Sequence, residues 1–240
     1  MFTLFDPKSP LRIQQGSSLP HWHQSGASYF VTFRTEDSIP ADVSRRWHAE
    51  RTAWFSQHGI ASANPDTTLL SDTLRQQYHE LFSRAYLQAL DKGLGACVLR
   101  RPDLRQIVHD SLLHFDSQRY HLGDFVIMPN HVHLIVCVLG HTEIQAQCTS
   151  WKRFTARLIN KALGVTGRFW QEESFDHLIR SPEQFERTRR YIRDNPKHLP
   201  PSDYAYYASP KIDSPVAGTL RVPSHNQNGT RSVPATEDHP

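Results

Sequence analysis

The stretch YHLGDFVIMPNHVHLIVCVL, residues 120–139, decides the fold class of this chain. Tyr120–Ile127 and His131–Leu139 are rich in β-branched, aromatic and aliphatic residues, a composition typical of buried strands. Met128–Asn130 separates them as a short connector. Two strands this close in sequence favour a sheet with antiparallel neighbours over a parallel α/β fold, because parallel neighbours need a longer crossover.

Helical patterns surround this pair of strands. Apolar residues recur there at steps of three and four, the spacing of one face of a helix. A last helix is predicted after Ser181, a suitable N-cap, with Pro182 in its first turn and Asn195 at its end. The other predicted helices are Ala41–His58, Leu69–Leu90, Arg101–Phe115 and Ile144–Leu163.

Two further strands, Ser28–Arg34 and Phe175–Ile179, complete the order strand, helices, strand, strand, helix, strand, helix. This order predicts an α+β fold with helices on one side of a mixed or antiparallel sheet, close to the split β-α-β layout of ferredoxin-like domains. Residues 41–96 then form a helical insertion after the first strand. The predicted divisions are an N-terminal arm at 1–19, one domain at 20–199, and a disordered tail rich in proline and serine at 200–240.

Composition narrows the class of protein. The chain has 240 residues, a mean hydropathy of −0.56 and a net charge of +3. Its longest apolar stretch has the length of a strand, and its first residues lack a signal-peptide pattern, so we expect a cytoplasmic, nucleoid-associated protein with no membrane partner. Its three cysteines have no Cys-x-x-Cys spacing, which argues against a disulfide framework.

Positive charge is concentrated in residues 152–197. This segment has eleven basic and six acidic residues, an excess of five positive charges, so the rest of the chain is slightly acidic. Such focusing fits a face that binds a polyanion. A solvated helix surface explains the charge alone equally well.

His131 and His133 are candidate metal ligands. Residues i and i+2 of a strand point to the same face, so both imidazoles project together while Val132 and Leu134 point the other way. Two imidazoles on a rigid strand form half of a divalent-metal site. A histidine pair on a polar sheet face is the alternative that the motif leaves open.

Tyr191 and Asn195 share one face of the last predicted helix, because they are four residues apart. Phe185 and Ile192 mark the side of this helix that packs on the sheet, and Tyr191 borders that side. Taken singly, Tyr191 fits a core aromatic with its hydroxyl at the edge, and Asn195 fits a helix-ending residue.

Together these motifs resemble a known family. MPNHVHLIV (Met128–Val136) is similar to the metal-binding strand of the single-tyrosine HUH transposases, which are insertion-sequence-200-like. FWQEESFDHLIR (Phe169–Arg180) followed by RYIRDNP (Arg190–Pro196) resembles the C-terminal signature of the REP-associated tyrosine transposases. Pro20–Arg34 and Ser150–Asn160 also resemble this family.

The resemblance implies a ferredoxin-like core and a DNA-cleaving site. Tyr191 would be the nucleophile, and His131, His133 and Asn195 would be ligands of Mg²⁺ or Mn²⁺. The implied activity is nicking and strand transfer on single-stranded or hairpin DNA through a 5′-phosphotyrosine, by a monomer or a homodimer. The basic residues expected to contact DNA are Lys152, Arg153, Arg157, Arg187, Arg190 and Lys197.

Other readings share some of these features. Trp151 and Trp170 are candidate platforms for unpaired bases, with core aromatics as the alternative. A catalytically silent DNA-binding regulator would keep the same fold. A metallohydrolase with water as nucleophile would need more ligands beside the histidines, whereas residues 134–136 are Leu, Ile and Val. A replication or conjugation nickase would share the chemistry on a larger chain.

Overall fold

One five-stranded antiparallel sheet organises the fold in the computed structural model, which describes residues 1–15, 20–60 and 70–213. The strands of this sheet are β3 (Ser28–Arg34), β4 (Tyr120–Ile127), β5 (His131–Val138), β6 (Phe175–Leu178) and β7 (Ala205–Tyr207). They lie in the order β6-β3-β5-β4-β7. Two earlier strands, β1 (Arg12–Gln15) and β2 (Pro20–His23), pair with each other.

The helices fall close to their predicted bounds. Leu69–Leu90, predicted as one helix, is instead divided by a π-type turn at His79–Ser83. A 3₁₀ turn at Asn195–His198 follows the last predicted helix. The helices are α1 (Ala41–Gln57), α2 (Asp72–Tyr78), α3 (Arg84–Asp91), α4 (Pro102–Leu113), α5 (Ile144–Leu163), α6 (Pro182–Asp194) and α7 (Pro210–Asp213).

The sheet topology is ferredoxin-like. Strands β3 and β4 are both antiparallel to β5, which lies between them, so they run parallel to each other and are joined through α4. Strands β5 and β6 flank β3 in the same way and are joined through α5. These are two split β-α-β units. The predicted α+β class, antiparallel sheet and helical insertion are confirmed.

Helices cover both faces of the sheet. On one face, Val132 and Leu134 pack in a core cluster with residues of α4 and α5 such as Trp151. On the other face, Ile135 packs with Phe185 and Ile192 of α6. Since alternate residues of a strand point to opposite faces, α6 lies on the face that His131 and His133 share. The sequence predicts helices on one side of the sheet, and this prediction is wrong, because α4 and α5 pack on one face and α6 packs on the other.

A bulge in β4 shapes the face toward α6. The register of β4 with β5 shifts between Leu122 and Phe125. A Cβ at Gly123 would lie 2.9 Å from the Cβ of Ile135, so only glycine lets the two strands approach this closely. The bulge allows Asp124 to reach α6, where its carboxylate accepts a hydrogen bond from Arg189 Nε at 2.9 Å.

The helical insertion has a small core of its own. Trp54 and Phe55 of α1 pack with Leu70, Tyr78 and Phe82. This cluster stabilises the inserted segment, because it buries large aromatic side chains away from the main sheet. The end of α3 then brings Asp91 to the sheet.

Parts of the predicted N-terminal arm and of the predicted C-terminal tail pack in the fold. Phe2 and Leu4 are buried, and Phe5 N–H donates to the Ile179 carbonyl, so the start of the predicted arm packs on the sheet. Strand β7 and α7 extend the ordered fold through residue 213, beyond the predicted end at 199. Residues 214–240 of the predicted tail lie outside the described residues.

Two expectations from composition concern the described part of the chain. None of its helices is long and apolar enough to cross a lipid bilayer. Cys97, Cys137 and Cys148 are buried free thiols, as the absence of a cysteine spacing motif predicts.

Candidate metal and tyrosine site

His131 and His133 lie at the start of β5, in the centre of the sheet. Their ring centroids are 4.5 Å apart, and both side chains are almost completely buried, at 1% and 0% exposure. Strand β3 pairs with them at Arg34 and Thr32. The predicted common face is therefore correct, but it is a covered face and not a solvated polar one.

Neighbouring groups orient each imidazole through its Nδ1 atom. Asn130 Nδ2 donates to the Leu94 carbonyl at 2.8 Å, so its Oδ1 faces His131 Nδ1 at 2.7 Å as an acceptor. This arrangement places the His131 proton on Nδ1 and a lone pair on Nε2. That Nε2 is buried without a hydrogen-bond partner among the described residues. His133 Nδ1 is held by Thr32 Oγ1 at 2.7 Å.

Burial keeps both histidines neutral. Desolvation lowers the pKa of His131 to about 3. The pKa of His133 lies well below its usual value, first because of desolvation and second because of repulsion from His131. Neutral imidazoles are the form that binds a metal ion.

This burial predicts an acid-sensitive stability for the metal-free protein. Both histidines have a lowered pKa in the folded state, so their stabilising contribution is complete above pH 6.5 and is lost as the pH falls toward 3. From pH 7.5 to 5.5 we expect the free energy of unfolding to fall by an amount on the order of 1 kcal/mol per histidine.

Urea denaturation in EDTA at the two pH values measures this loss. The double variant His131→Asn, His133→Gln should lose roughly 2 to 3 kcal/mol less than the unmodified protein over the same interval. Equal losses in the two proteins would contradict the neutral, buried state of the pair. The other histidines are present in both proteins and cancel in the comparison.

Helix α6 places Tyr191 against His133. The Ser181 side chain caps α6 by accepting from Gln184 N–H, as predicted, and Phe185 and Ile192 anchor the helix in the core. The Tyr191 hydroxyl lies 3.2 Å from His133 Nε2, and its ring packs edge-on against Phe30.

The Tyr191 phenol is protonated at neutral pH in this arrangement. Burial raises its pKa most, the Asp91 carboxylate raises it further, and a hydrogen bond with Asn195 lowers it in part. A hydroxyl in this state needs activation before it can act as a nucleophile.

Asp91 is a site residue that the sequence analysis missed. Its carboxylate lies 3.7 Å from His131 Nε2, and ligand atoms of Asp91, His131 and His133 all lie within 4.8 Å of one another. Asn195 Nδ2 donates to Asp91 Oδ1 at 2.9 Å, while the Asn195 Oδ1 is buried without a hydrogen-bond partner among the described residues. No motif surrounds Asp91, so only the fold reveals it.

These residues fit a divalent cation. Two neutral imidazoles, a carboxylate and an unpaired amide oxygen are donors that Mn²⁺ accepts, and the oxygens also suit Mg²⁺. The unpartnered Nε2 of His131 and Oδ1 of Asn195 support this fit, because buried polar atoms in proteins are normally paired.

An open groove of about 880 Å³ leads to the site. Helix α6 forms one wall with Arg187 and Tyr191, and the insertion forms the opposite wall with Arg84 and Asp91. Arg180 adds a third guanidinium to the lining. A groove lined by three guanidinium groups and by Tyr191 can hold a phosphodiester backbone beside this tyrosine.

The predicted DNA-binding residues are divided between the two faces of the sheet. Arg187, Arg190 and Lys197 are exposed in and just after α6, on the side of Tyr191. Arg153 and Arg157 are exposed on α5, which packs on the opposite face. They stay predicted DNA contacts, but they lie on the face of the sheet opposite to Tyr191.

Three other predicted contacts on this side of the molecule are structural. Lys152 is 8% exposed, and its ammonium donates to the carbonyls of Gln171 and Glu172, which leaves it poorly placed for phosphate. Trp151 and Trp170 are buried, and their indole N–H groups donate to Tyr120 and Thr155. Both tryptophans are core aromatics.

The fold and site together define a ferredoxin-like domain with a buried histidine pair facing a helix-borne tyrosine. Residues 100–195 match the family model described as "Transposase IS200 like". The matched segment is similar to the IS200-like transposases, and it contains His131, His133 and Tyr191. This match confirms the resemblance that the motifs predict.

The chain was also compared with solved structures and with curated proteins. The solved structure described as "Structure of the REP associates tyrosine transposase bound to a REP hairpin" is similar, with a TM-score of 0.39 and 15% sequence identity. The similarity covers 75% of this chain and 72% of that one. A search of curated proteins gives no significant match.

Proposed function

We propose that this protein is a metal-dependent endonuclease and strand transferase acting on single-stranded or hairpin DNA, with Tyr191 as nucleophile. The observation that carries the proposal is the 3.2 Å distance between the Tyr191 hydroxyl and Nε2 of a buried, neutral His133. This pairing lies within the segment that matches the IS200-like transposases. It joins a candidate nucleophile to a candidate metal ligand.

The cleavage step needs no co-reactant besides DNA. The Tyr191 oxygen attacks the scissile phosphorus, and a P–O bond forms as the bond to the 3′ oxygen breaks. The proton lost by the phenol balances the proton gained by the departing 3′-hydroxyl. Attack by a 3′-hydroxyl on the resulting 5′-phosphotyrosine reverses these bond changes, so cleavage and strand transfer are one reaction in two directions.

His131, His133 and Asn195 are the residues that the proposal assigns to Mg²⁺ or Mn²⁺. When bound, the ion withdraws charge from a non-bridging phosphate oxygen and orients the phosphate. The sheet holds the two imidazoles rigid through Asn130 and Thr32. Hydrogen bonds to the far nitrogen of a ligating imidazole commonly change the affinity of the site for its metal.

The groove beside Tyr191 supports a DNA strand as substrate. Arg187 lines the groove, and Arg190 and Lys197 are exposed nearby along α6 and its following turn. Contacts of this kind neutralise phosphates without reading sequence. We also propose that the protein acts as a monomer or a homodimer and that it works at the nucleoid in the cytoplasm.

The test is the formation of a covalent protein–DNA adduct. Hairpin oligonucleotides labelled at either end are incubated with the unmodified protein or Tyr191→Phe, in Mn²⁺ or in EDTA, and separated on denaturing gels. We expect an adduct on the 5′ end of the downstream fragment that requires Mn²⁺ and is absent from Tyr191→Phe. Tyr207→Phe, in strand β7, is the matched control and should form the adduct normally.

Two outcomes would replace the proposal. Cleavage that persists in Tyr191→Phe would make water the nucleophile and identify a metallohydrolase. Tight binding of several hairpin and flank sequences without cleavage would identify a DNA-binding regulator on the same fold.

A further inference from the structure

We propose that Asp91, the last residue of α3, is the carboxylate ligand of the metal ion at the histidine pair. Binding of the ion would therefore fasten the helical insertion to the catalytic sheet. This inference deepens the proposed function, since it concerns the same site, but it can be tested without DNA.

The geometry around His131 supports a ligand role for Asp91. The Asp91 carboxylate lies 3.7 Å from His131 Nε2, which is too long for a hydrogen bond. That nitrogen is buried and has no hydrogen-bond partner among the described residues. Because His131 Nδ1 already holds the ring proton, two lone pairs face each other, one on Nε2 and one on the carboxylate. A cation between them would satisfy both.

Asn195 holds the Asp91 carboxylate in this position. Its Nδ2 donates to Asp91 Oδ1 at 2.9 Å, so the amide acts on the carboxylate from the side of α6. The Asn195 Oδ1 remains free to complete the same site. Asn195 is therefore a positioning residue for Asp91 as well as the expected oxygen donor.

The charge balance favours a cation at this place. Within the described part of the chain, Asp91 contacts neutral groups, namely the amide of Asn195 and the uncharged imidazole of His131. Desolvation raises the pKa of Asp91, because this carboxylate is only 35% exposed. A divalent ion would offset the cost of placing a carboxylate against buried neutral rings.

Metal binding would also organise the groove. Helix α3 forms the insertion's wall of that groove, with Arg84, Leu87 and Gln88 on its surface. In the described contacts, the end of α3 is tied to α6 by the Asp91–Asn195 hydrogen bond. A bond from Asp91 to the metal would add a direct connection to β5, so the wall should be more rigid with metal than without it.

The experiment measures Mn²⁺ affinity by isothermal titration calorimetry with the full chain in the absence of DNA. We expect Asp91→Asn to weaken Mn²⁺ binding about 10- to 100-fold or more, since loss of even an outer contact commonly has such an effect. Asp91→Glu keeps the carboxylate and should bind more tightly than Asp91→Asn. Asp42→Asn, an exposed aspartate of α1, is the matched control and should bind like the unmodified protein.

Hydrogen exchange supplies a second readout of the same proposal. Mn²⁺ should slow amide exchange in α3 of the unmodified protein and of Tyr191→Phe, but not of Asp91→Asn. Circular dichroism of each variant establishes that it is folded. If Asp91→Asn does not fold, comparison of Asp91→Glu with the unmodified protein by exchange still decides whether α3 responds to Mn²⁺.

Equal Mn²⁺ affinity in Asp91→Asn and the unmodified protein would overturn the inference, and so would metal-independent exchange in α3. Neither result bears on Tyr191, because adduct formation is measured separately. Conversely, Mn²⁺ binding could depend on Asp91 while the protein forms no DNA adduct. That result would support this inference and contradict the proposed function.

Discussion

Replacing His133 by alanine should lower the rate of single-strand cleavage by about a thousandfold or more. A metal ion contributes several kcal/mol of charge stabilisation in reactions of this class, and about 4 kcal/mol corresponds to three orders of magnitude in rate. His133 is the central residue here, because its Nε2 lies 3.2 Å from the Tyr191 hydroxyl and its ring is stacked on Phe30. The substitution removes a proposed metal ligand and a neighbour of the proposed nucleophile together.

The measurement is single-turnover cleavage of a labelled hairpin oligonucleotide at saturating Mn²⁺. His141→Ala, an exposed histidine beyond the end of β5, is the matched control and should cleave at the normal rate. Binding of the same oligonucleotide should change little, because phosphate contacts by arginine and lysine dominate affinity. A cleavage rate within tenfold of normal in folded His133→Ala would contradict the assigned site.

Replacing Asp124 by alanine should lower the free energy of unfolding by about 3 kcal/mol. The Asp124 carboxylate is almost completely buried, and it accepts hydrogen bonds from Arg189 Nε and from Ser209 N–H, both at 2.9 Å. Its removal leaves Arg189, a mostly buried cation of α6, without this counter-charge. It also removes one of the hydrogen bonds that hold Ser209, after β7, to strand β4, while the bond from Ser209 Oγ to the Leu122 carbonyl remains.

Urea denaturation measures this effect. Asp110→Ala, on the exposed surface of α4, is the matched control and should change stability by no more than about 0.5 kcal/mol. Asp124→Asn keeps an oxygen acceptor for Ser209 and should be less destabilising than alanine. An unchanged unfolding midpoint in Asp124→Ala would contradict this prediction and would mean that another group stabilises Arg189 equally well. Cleavage should fall together with stability, because Asp124 fixes the helix that carries Tyr191.

Local patterns were sufficient to predict most of the elements. Strand β4 and helix α5 have the bounds predicted from their composition and periodicity, and Ser181 caps α6 as expected. These features depend on neighbours within a few residues, so the chain encodes them directly. The common face of His131 and His133 follows from the two-residue period of a strand in the same way.

Features that depend on a distant partner were predicted less well. Strand β7 has three residues and becomes a strand by pairing with β4, so it was assigned to the disordered tail. Phe2 and Leu4 carry no periodic pattern, yet they are buried in the core cluster beside Ile135. Lys152 appears in sequence as a helix cation, but packing buries it against two backbone carbonyls.

The sequence by itself determined the fold class, the histidine pair and the tyrosine that faces it, because strand and helix periods and a local motif specify each of them. The tertiary structure alone decided that α5 and α6 lie on opposite faces, which separates Arg153 and Arg157 from the tyrosine. It alone brought Asp91 to His131. The physical reason is that such contacts join residues far apart in the chain, and only the packing of the insertion against the sheet specifies their distance.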